Sequence, residues 1–491
     1  MSRFSAKALF VASALVLPLF AFGLGVVSSG SPFTKRRGDL FTAPLLLRSW
    51  LALDLVPGRD GVEKREVRTV PGGRTTLSSD ELTRMQAYAA TRYTSLLDVP
   101  FGADEQKIVE SLTGSALAKP SDLGPLNRIW YERKPIVARA IDRADLLTAA
   151  IRAGRYLARV QRPDGRFHYL LDAVSGAPID AEYSYPRHAG TTHFLNELVA
   201  VTGDQFLALT AQRARTALVE AVAPCSPHGT CLIENGEGSV IAAALAILAL
   251  LPETDGRGKA AIDGLEIFVS SAVNERDEFF GTFNVARRTF SDVGMLYVEG
   301  ESILALLRKG NPSPELVGRV DRAFERALDR WQFFGDRYYI GQHHWTCQAV
   351  LAFELAHRRS ERGLDFCERH QRLEAQLQIT NGSEDDGAFG VLPLPVPQLA
   401  QAAAIGEGWI ATYDAMQRAG RHPSPEFRAS LHRLLAYLLR AQNLPAHLLK
   451  DPGRVDGAFP TSRVDLQLRI DMTQHAGSAL LRASQLNLNG E

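Results

Sequence analysis

The chain has 491 residues, of which 45% are apolar and 22% are charged, and this ordinary globular composition excludes a wholly disordered protein. Its 55 Lys and Arg residues balance 55 Asp and Glu residues, so the formal net charge is zero. A dedicated nucleic-acid-binding protein usually carries a strong basic excess, and the composition therefore argues against that class.

The first predicted element is the apolar segment 9–27, LFVASALVLPLFAFGLGVV, which is long enough to span a bilayer. Arg3 and Lys7 precede it, as in the basic region of a signal peptide. Because basic residues also follow it at 35–37 and no A-x-A site lies close behind, we predict an uncleaved signal-anchor within residues 1–29. A cleaved signal peptide is the alternative. The membrane is then a predicted partner, and the rest of the chain is expected on the envelope or periplasmic side, or secreted after cleavage.

Residues 30–141 are interpreted as a connector and helical lead-in, and residues 142–487 repeat themselves. Each repeat has an amphipathic helix, a loop with Gly and an aromatic residue, a polar cluster and a more apolar helix. The first repeat (RAGRYLARVQ, PDGRFHY, YPRHAGTTHFLNELV) matches the last (RLLAYLLRAQ, VDGAFP, IDMTQHAGSALLRA) element by element. Six such hairpins predict an all-α fold, an (α/α)6 toroid with short β-hairpins in its loops. The second helices should form the inner ring, because a helix that is apolar nearly all round must be buried.

Six polar clusters are expected to open these inner helices and to face one mouth of the central cavity. From them we predict as catalytic candidates His188, Glu237, Glu301, Glu407 and His475. The predicted substrate-binding residues are Tyr185, Arg187, Glu299, His343, His344, Trp345 and Asp471. His188 and His475 should come close, since the first and last units adjoin in a closed ring. A Glu at a helix start also caps the helix whatever the function, so the prediction depends on the group and not on any one residue.

The four cysteines form no C-x-x-C pair, which argues against a zinc ribbon or a thioredoxin-type motif. Cys225 and Cys231 bracket a short loop that suits a local disulfide, and two unpaired thiols remain the alternative. Neither G-x-G-x-x-G nor a P-loop opens a helix, so no nucleotide site and no cofactor are predicted.

The six-hairpin pattern resembles the six-hairpin glycosidase-like toroid superfamily, which includes glycoside hydrolases, polysaccharide lyases, sugar epimerases and uronyl C5-epimerases. Residues 161–167, QRPDGRF, also resemble the repeat of terpene cyclase toroids, but the catalytic D-x-D-D of those enzymes is absent, as is the zinc set of lanthionine cyclases. The resemblance implies the toroid fold over about 142–487 and carries over no catalytic residue.

Aromatic residues beside carboxylates and imidazoles favour an envelope enzyme that acts on a polysaccharide or glycoconjugate. Hydrolysis would use two of the carboxylates Glu237, Glu299, Glu301 and Glu407. A lyase or epimerase would use His188, His344, His475 or Tyr185 as the base, with Arg187 against a carboxylate. Two alternatives stay open: a metal-dependent enzyme with His188, His475 and a nearby Glu, and a non-catalytic, membrane-anchored binding or scaffold protein using the same cavity.

Overall fold

The computed structural model describes residues 141–488, with gaps at 180–182, 292–297, 311–312, 336–342, 377, 381–384, 390–397, 445, 447–448 and 463–465. Before residue 141 it describes the backbone of three strands, and over 330–335 the backbone of a helix. The predicted signal-anchor and most of the predicted lead-in lie outside the described residues. Within the described part of the chain, no helix combines the length and apolar character needed to cross a bilayer.

The chain divides into two compact units, and the first contains a small antiparallel sheet. Its strands are β1 (Ala52–Val56), β2 (Lys64–Thr69) and β3 (Gly73–Leu77), in the order β1-β2-β3, with Val67 of β2 opposite both Leu53 and Thr75. The sheet falls in the stretch predicted as a connector and helical lead-in. Valine and threonine between turns rich in Pro and Gly favour strands over helix there.

The second unit contains the helices and seven short strands. Its helices are α1 (Arg143–Arg159), α2 (Tyr185–Thr202), α3 (Gln205–Ala221), α4 (Val240–Leu250), α5 (Gly256–Ser271), α6 (Val298–Lys309), α7 (Pro314–Gly335), α8 (His344–Leu355), α9 (Glu361–Ala375), α10 (Leu399–Arg418), α11 (Pro425–Ala441), α12 (Pro452–Val455) and α13 (Ile470–Ser484). Its strands are β4 (Leu170–Asp172), β5 (Val222–Pro224), β6 (Thr230–Glu234), β7 (Glu237–Ser239), β8 (Thr282–Asn284), β9 (Thr289–Ser291) and β10 (Gln467–Arg469). Strands β5 to β9 form one antiparallel sheet, and β10 pairs with β4.

Six helices form a closed inner ring. In the order α2, α4, α6, α8, α10, α13 each packs against the next, and α13 packs against α2. The first helices of the hairpins, α1, α3, α5, α7, α9 and α11, pack on the outside. Helix α4, with the sequence VIAAALAILAL, is buried along its whole length, as expected for an inner helix that is apolar all round. The helical second unit is thus a ring of paired helices, in agreement with the predicted fold class.

A repeated glutamine joins neighbouring outer helices. Each of three glutamines lies one to three residues after the end of an outer helix. Each donates its amide to two backbone carbonyls, one in the following Gly turn and one on the next outer helix: Gln161 to Gly165 and Thr210, Gln378 to Gly387 and Ser430, and Gln442 to Gly457 and Ala149. The last of these joins α11 to α1 and so closes the outer ring between the final and first hairpins. The turns at Asp164-Gly165, Asp386-Gly387 and Asp456-Gly457 therefore have a structural role.

Gly457 shows why this turn needs glycine. Its φ is +82°, and a Cβ there would lie 2.2 Å from the backbone carbonyl oxygen of Arg152. Any side chain would both strain the backbone and push α1 away. The segment from 442 to 457 therefore holds α1 in place through backbone contact as well as through Gln442.

Two disulfides reinforce the second unit. Cys225 is bonded to Cys231 across the turn between β5 and β6, and Cys347 on α8 is bonded to Cys367 on α9. The second bond, which the sequence analysis did not anticipate, ties an inner helix to an outer one.

We predict that Gln442→Ala lowers the free energy of unfolding by roughly 1–3 kcal/mol, because it removes two buried hydrogen bonds to backbone carbonyls, one of which joins α11 to α1. Urea unfolding followed by circular dichroism measures the change. Gln417→Ala, at an exposed position on α10, is the matched control and should stay within about 0.5 kcal/mol of wild type. Equal stability of the two variants would show that Gln442 does not close the ring.

Candidate functional site

Three buried side chains from consecutive inner helices converge inside the ring. They are His344 on α8, Glu407 on α10 and His475 on α13, and one nitrogen or oxygen of each lies within 4.8 Å of the others. None is more than 8% exposed. The structure thus gathers three of the predicted site residues, which are separated by up to 131 positions in sequence. We call these three residues the His–Glu cluster.

His475 and Glu407 are joined by a short hydrogen bond. The Nδ1–H of His475 donates to Oε2 of Glu407 at 2.6 Å, which leaves Nε2 of the imidazole to accept or give a proton. Burial alone would raise the pKa of Glu407, but His475, Arg482 and His344 outweigh burial and hold that pKa below its ordinary value. Glu407 is therefore an ionised partner that orients the His475 ring.

His344 differs from His475 because neither of its ring nitrogens has a hydrogen-bond partner among the described residues. Burial lowers its pKa well below the ordinary value, Glu407 opposes the shift, and His475 adds to it. The ring is thus neutral at physiological pH. It meets His475 edge to face with 5.4 Å between ring centroids, and the Trp345 ring lies 5.1 Å from it, tilted by 40°.

A glycine permits this close approach. A Cβ on Gly408 would lie 3.2 Å from the Cα of His344, so a side chain there would press on the turn that carries the imidazole. The Gly-Glu-Gly sequence around Glu407 therefore has a packing reason: it lets α10 and α8 approach until Glu407 reaches His344 and His475.

A row of ion pairs lies beside the cluster. Asp471, at the start of α13, accepts from Arg187 Nε at 3.1 Å and from Arg469 Nε at 2.9 Å. Burial would raise the pKa of Asp471, but Arg469 and Arg187 together hold it below its ordinary value. The Arg187 side chain remains 33% exposed, so this guanidinium is both fixed by Asp471 and accessible.

A second polar layer lies further along the inner helices. Arg482 on α13 makes a bidentate pair with Glu197 on α2 and donates to Gln348 Oε1 on α8 at 2.5 Å. His193 lies 3.5 Å from Glu197. The charged residues of this layer are paired with one another, whereas the His344 imidazole has no hydrogen-bond partner among the described residues.

Several predicted residues do not join the His–Glu cluster. His188 points towards α3, where its Nε2–H donates to the Ala214 carbonyl at 2.9 Å while Nδ1 bonds to the Tyr183 hydroxyl. His343 points towards α9, with its Nε2 3.1 Å from Oε1 of Glu374. Glu237 lies in strand β7 and accepts from Asn284 Nδ2 at 2.7 Å.

The remaining predicted residues flank the cluster. Glu299 and Glu301 are buried in the first turn of α6, next to the start of α8, where a Cβ on Gly300 would lie 2.7 Å from the amide nitrogen of Thr346. Tyr185 begins α2, and its backbone N–H donates to Glu234 at 2.6 Å.

The aligned residues of the six predicted clusters do not occupy equivalent positions in their helices. His188 and Glu301 are each the fourth residue of an inner helix, whereas Glu407 is the ninth residue of α10 and Glu237 precedes α4 in a strand. Glu407 therefore lies about two turns into its helix, whereas its neighbour His344 is the first residue of α8.

The cluster has the donor types of a transition-metal site, since two imidazoles and one carboxylate suit zinc, iron or manganese. The unbonded nitrogens of His344 and the unbonded Oε1 of Glu407 are the atoms available to such an ion. The short bond between His475 Nδ1 and Glu407 uses the other carboxylate oxygen and fits a proton-transfer pair equally well.

Comparison with solved structures identifies the fold. The chain superposes on D-mannose isomerase with a TM-score of 0.52 and 9% identity over 71% of this chain and 100% of that one. Cellobiose 2-epimerase from Bacillus thermoamylovorans gives 0.53 at 12% identity over 70% and 99% of the two chains. The enzyme of that name from Spirochaeta thermophila gives 0.52 at 12% identity over 70% and 96%. No protein-family model matches the chain, and no curated protein matches it by sequence.

The chain has the fold of the six-hairpin glycosidase-like toroids.

Within this toroid the polar residues of the interior are unevenly distributed. Helices α8, α10 and α13 supply the His–Glu cluster, while α4, which stands opposite α10 in the ring order, is wholly apolar. The cluster therefore belongs to one side of the toroid, where α8, α10 and α13 meet.

Sequence reasoning missed several polar residues of the interior. Glu197, Gln348 and Arg482 carry the second layer, and Glu374 receives both His343 and the Trp409 Nε1–H. In the sequence, such residues are recognisable as charged or amide side chains within a mainly apolar stretch of a helix. Glu197 and Arg482 lie further along their helices than the predicted polar clusters.

We predict that His188 makes the toroid acid-sensitive. Burial lowers the pKa of His188 from 6.5 to about 4, so the unfolded chain binds more protons than the folded one between those values. Stability is then lost as the pH falls from 6.5 towards 4. Between pH 7 and pH 5 the loss from this residue is about 2 kcal/mol.

Urea unfolding at pH 7 and pH 5 tests this effect. The difference in stability between the two pH values should be smaller in His188→Asn than in wild type by about 2 kcal/mol. His422→Asn, at an exposed position, should leave the difference unchanged. An unchanged pH dependence in His188→Asn would contradict the assigned burial of a neutral imidazole.

Proposed function

We propose that the chain is a carbohydrate epimerase or isomerase that moves a proton at a carbon next to the carbonyl of an open-chain sugar. The observation that carries the proposal is the pairing of a neutral, unbonded imidazole, His344, with the carboxylate-oriented imidazole of His475. Both are buried, and they come from different inner helices.

The chemistry needs two proton-transferring groups a few ångströms apart. One must take the proton from the carbon, and another must hydrogen-bond or protonate the carbonyl oxygen as the enediol forms. His475 suits the first role, because ionised Glu407 stabilises the imidazolium that results. His344 suits the second, because a neutral imidazole N–H donates to a developing oxyanion without a prior charge. Return of the proton to the other face gives an epimer, and its return to the neighbouring carbon gives an isomer.

Hydrolysis is less well supported by the same residues. A glycosidase needs a carboxylic acid that is protonated at its working pH, with a raised pKa. The pKa of Glu407 is lowered, and its Oε2 is already bonded to His475. Arg187, the candidate for neutralising a uronate in a lyase, is paired with Asp471. Neither arrangement favours hydrolase or lyase chemistry over proton transfer next to a carbonyl.

The fold neighbours support a sugar substrate, since they include proteins named as a mannose isomerase and cellobiose epimerases. Trp345, close to both imidazoles, offers a face for the C–H side of a sugar ring. We further propose that the protein works outside the cytoplasm, in the cell envelope or periplasm and held by its N-terminal segment. Two disulfides support an oxidising compartment.

We expect wild-type protein in D2O to exchange the hydrogen at C2 of at least one reducing sugar, which proton NMR detects as loss of the H2 signal. A panel of aldoses and reducing disaccharides provides the substrates. His475→Asn should reduce the exchange rate by about 10²–10⁴, because it removes the base. Glu407→Gln should reduce it less, since the imidazole remains but loses its ionised partner.

Four outcomes would contradict this function. If no sugar of the panel exchanges its hydrogen, the proposed reaction is wrong. If His475→Asn remains active, the assignment of the site is wrong, provided that the exposed control His422→Asn is active as well. Activity that disappears with EDTA and returns with zinc or manganese would show that the cluster works as a metal site. Tight sugar binding without exchange would favour the non-catalytic binding protein.

A further inference from the structure

A cavity of about 300 Å³ lies at the loop that follows α1. It is lined by Arg162, Phe167, His168, Tyr169, Pro178, Ile179 and Tyr183. We call it the Tyr169 pocket. Four of its seven lining residues carry rings of aromatic character, and the tyrosines and His168 are half-buried, so their rings border open space.

Backbone pairing and one buried histidine hold the walls in place. Strand β4, directly after Tyr169, pairs with β10, and the Ile179 N–H donates to the Leu170 carbonyl. The Tyr183 hydroxyl bonds to Nδ1 of His188, whose Nε2–H is in turn fixed on the Ala214 carbonyl. His188 thus acts as a positioning residue for a wall of the pocket.

Ion pairs connect the Tyr169 pocket to the His–Glu cluster. The Arg469 guanidinium lies over the Tyr169 ring at 6.0 Å and grips Asp471. Asp471 also binds Arg187, and His475 stands four residues further along the same helix. A single arginine, Arg469, therefore links the Tyr169 pocket to the ion pairs that lie beside the His–Glu cluster.

Cationic groups dominate the surroundings of the pocket among the described residues. Arg162 lines it, Arg166 lies 5.2 Å above the Tyr183 ring, and Arg469 covers Tyr169. Arg162 and Arg454 both act electrostatically on His168. Against these stand Asp164, paired with Arg162 at 2.8 Å, and Asp471, paired with Arg469. More arginines than carboxylates surround the pocket, and its aromatic rings suit the C–H face of a sugar.

We propose that the Tyr169 pocket binds an acidic sugar unit, carrying a carboxylate or a phosphate, that is attached to the sugar reacting at the His–Glu cluster. The unit stacks on Tyr169, and its anionic group bonds to Arg162, whose own pair with Asp164 is exposed and therefore weak. The substrate is then an acidic oligosaccharide or glycoconjugate. This inference rests on the proposed function for the identity of the reacting unit.

Binding measurements with methyl glycosides test the pocket separately from catalysis, because these probes have no free carbonyl and cannot react. The three probes are methyl β-D-glucuronide, methyl β-D-glucoside 6-phosphate and methyl β-D-glucoside, each titrated into the full chain by calorimetry. We expect at least one acidic probe to bind about tenfold or more tightly than the neutral one, as a charge-assisted hydrogen bond provides. The acidic probe that binds more tightly shows whether the pocket prefers a carboxylate or a phosphate.

Two variants and one control locate the binding. Arg162→Gln should abolish the preference for the acidic probes, and Tyr169→Ala should weaken binding of all three about tenfold. Phe206→Ala, a truncation of an exposed aromatic on α3, should change neither. Circular dichroism and melting temperature confirm that the variants fold.

Equal binding of acidic and neutral probes would overturn the inference, and so would a preference that survives Arg162→Gln. Probe binding as predicted, with no sugar turned over, would leave the pocket intact and remove the proposed function. Hydrogen exchange on a sugar, together with equal binding of the acidic and neutral probes, would support the proposed function and remove the inference about the Tyr169 pocket. His475→Asn should bind the probes as wild type does, since the pocket does not include the base.

Discussion

Closure of the ring is the constraint on which the rest of the structure depends. Helix α13 must pack against both α1 and α2, and α11 must reach α1, before the first and last hairpins can meet. Two devices secure this junction: strand β10 pairs with β4, and Gln442 bonds across to the Ala149 carbonyl. Both join residues almost 300 positions apart by hydrogen bonds. The loop-closure cost of such contacts grows slowly with length, so a few buried bonds offset it.

The chemistry follows from closure because no single helix carries the site. His344, Glu407 and His475 come from the fourth, fifth and sixth hairpins, and each alone would be an unpaired polar group in an apolar core. Burial makes His344 neutral, and it makes the bond between His475 and Glu407 strong. The Cys347–Cys367 disulfide ties α8 to α9, and the Gly408 contact brings α10 close to α8, so that these side chains can meet.

The sequence predicted the helical toroid because its evidence was periodic: apolar second helices and a recurring polar cluster do not depend on exact boundaries. It named His344, Glu407 and His475 among the candidate site residues, but it did not single out these three as the ones that meet. It could not predict the direction in which each side chain points. His343 and His344 are adjacent, yet one turns outwards to Glu374 and the other inwards to Glu407, which a rotation of about 100° per helical residue decides. His188 likewise faces α3, where it holds Tyr183, although its His-Ala-Gly context matches that of His475.

The protonation states of the two central histidines test the account most directly. In protein labelled with 15N at histidine, long-range nitrogen–proton NMR spectra report the tautomer of each ring, with His344→Gln and His475→Asn assigning the signals. We expect the His344 ring to be neutral at pH 7 and the His475 ring to be hydrogen-bonded to the carboxylate through Nδ1, with a His475 signal that shifts in Glu407→Gln. A His344 ring that is cationic at neutral pH, or a His475 signal insensitive to Glu407→Gln, would contradict the convergence of the three helices on one acid–base site.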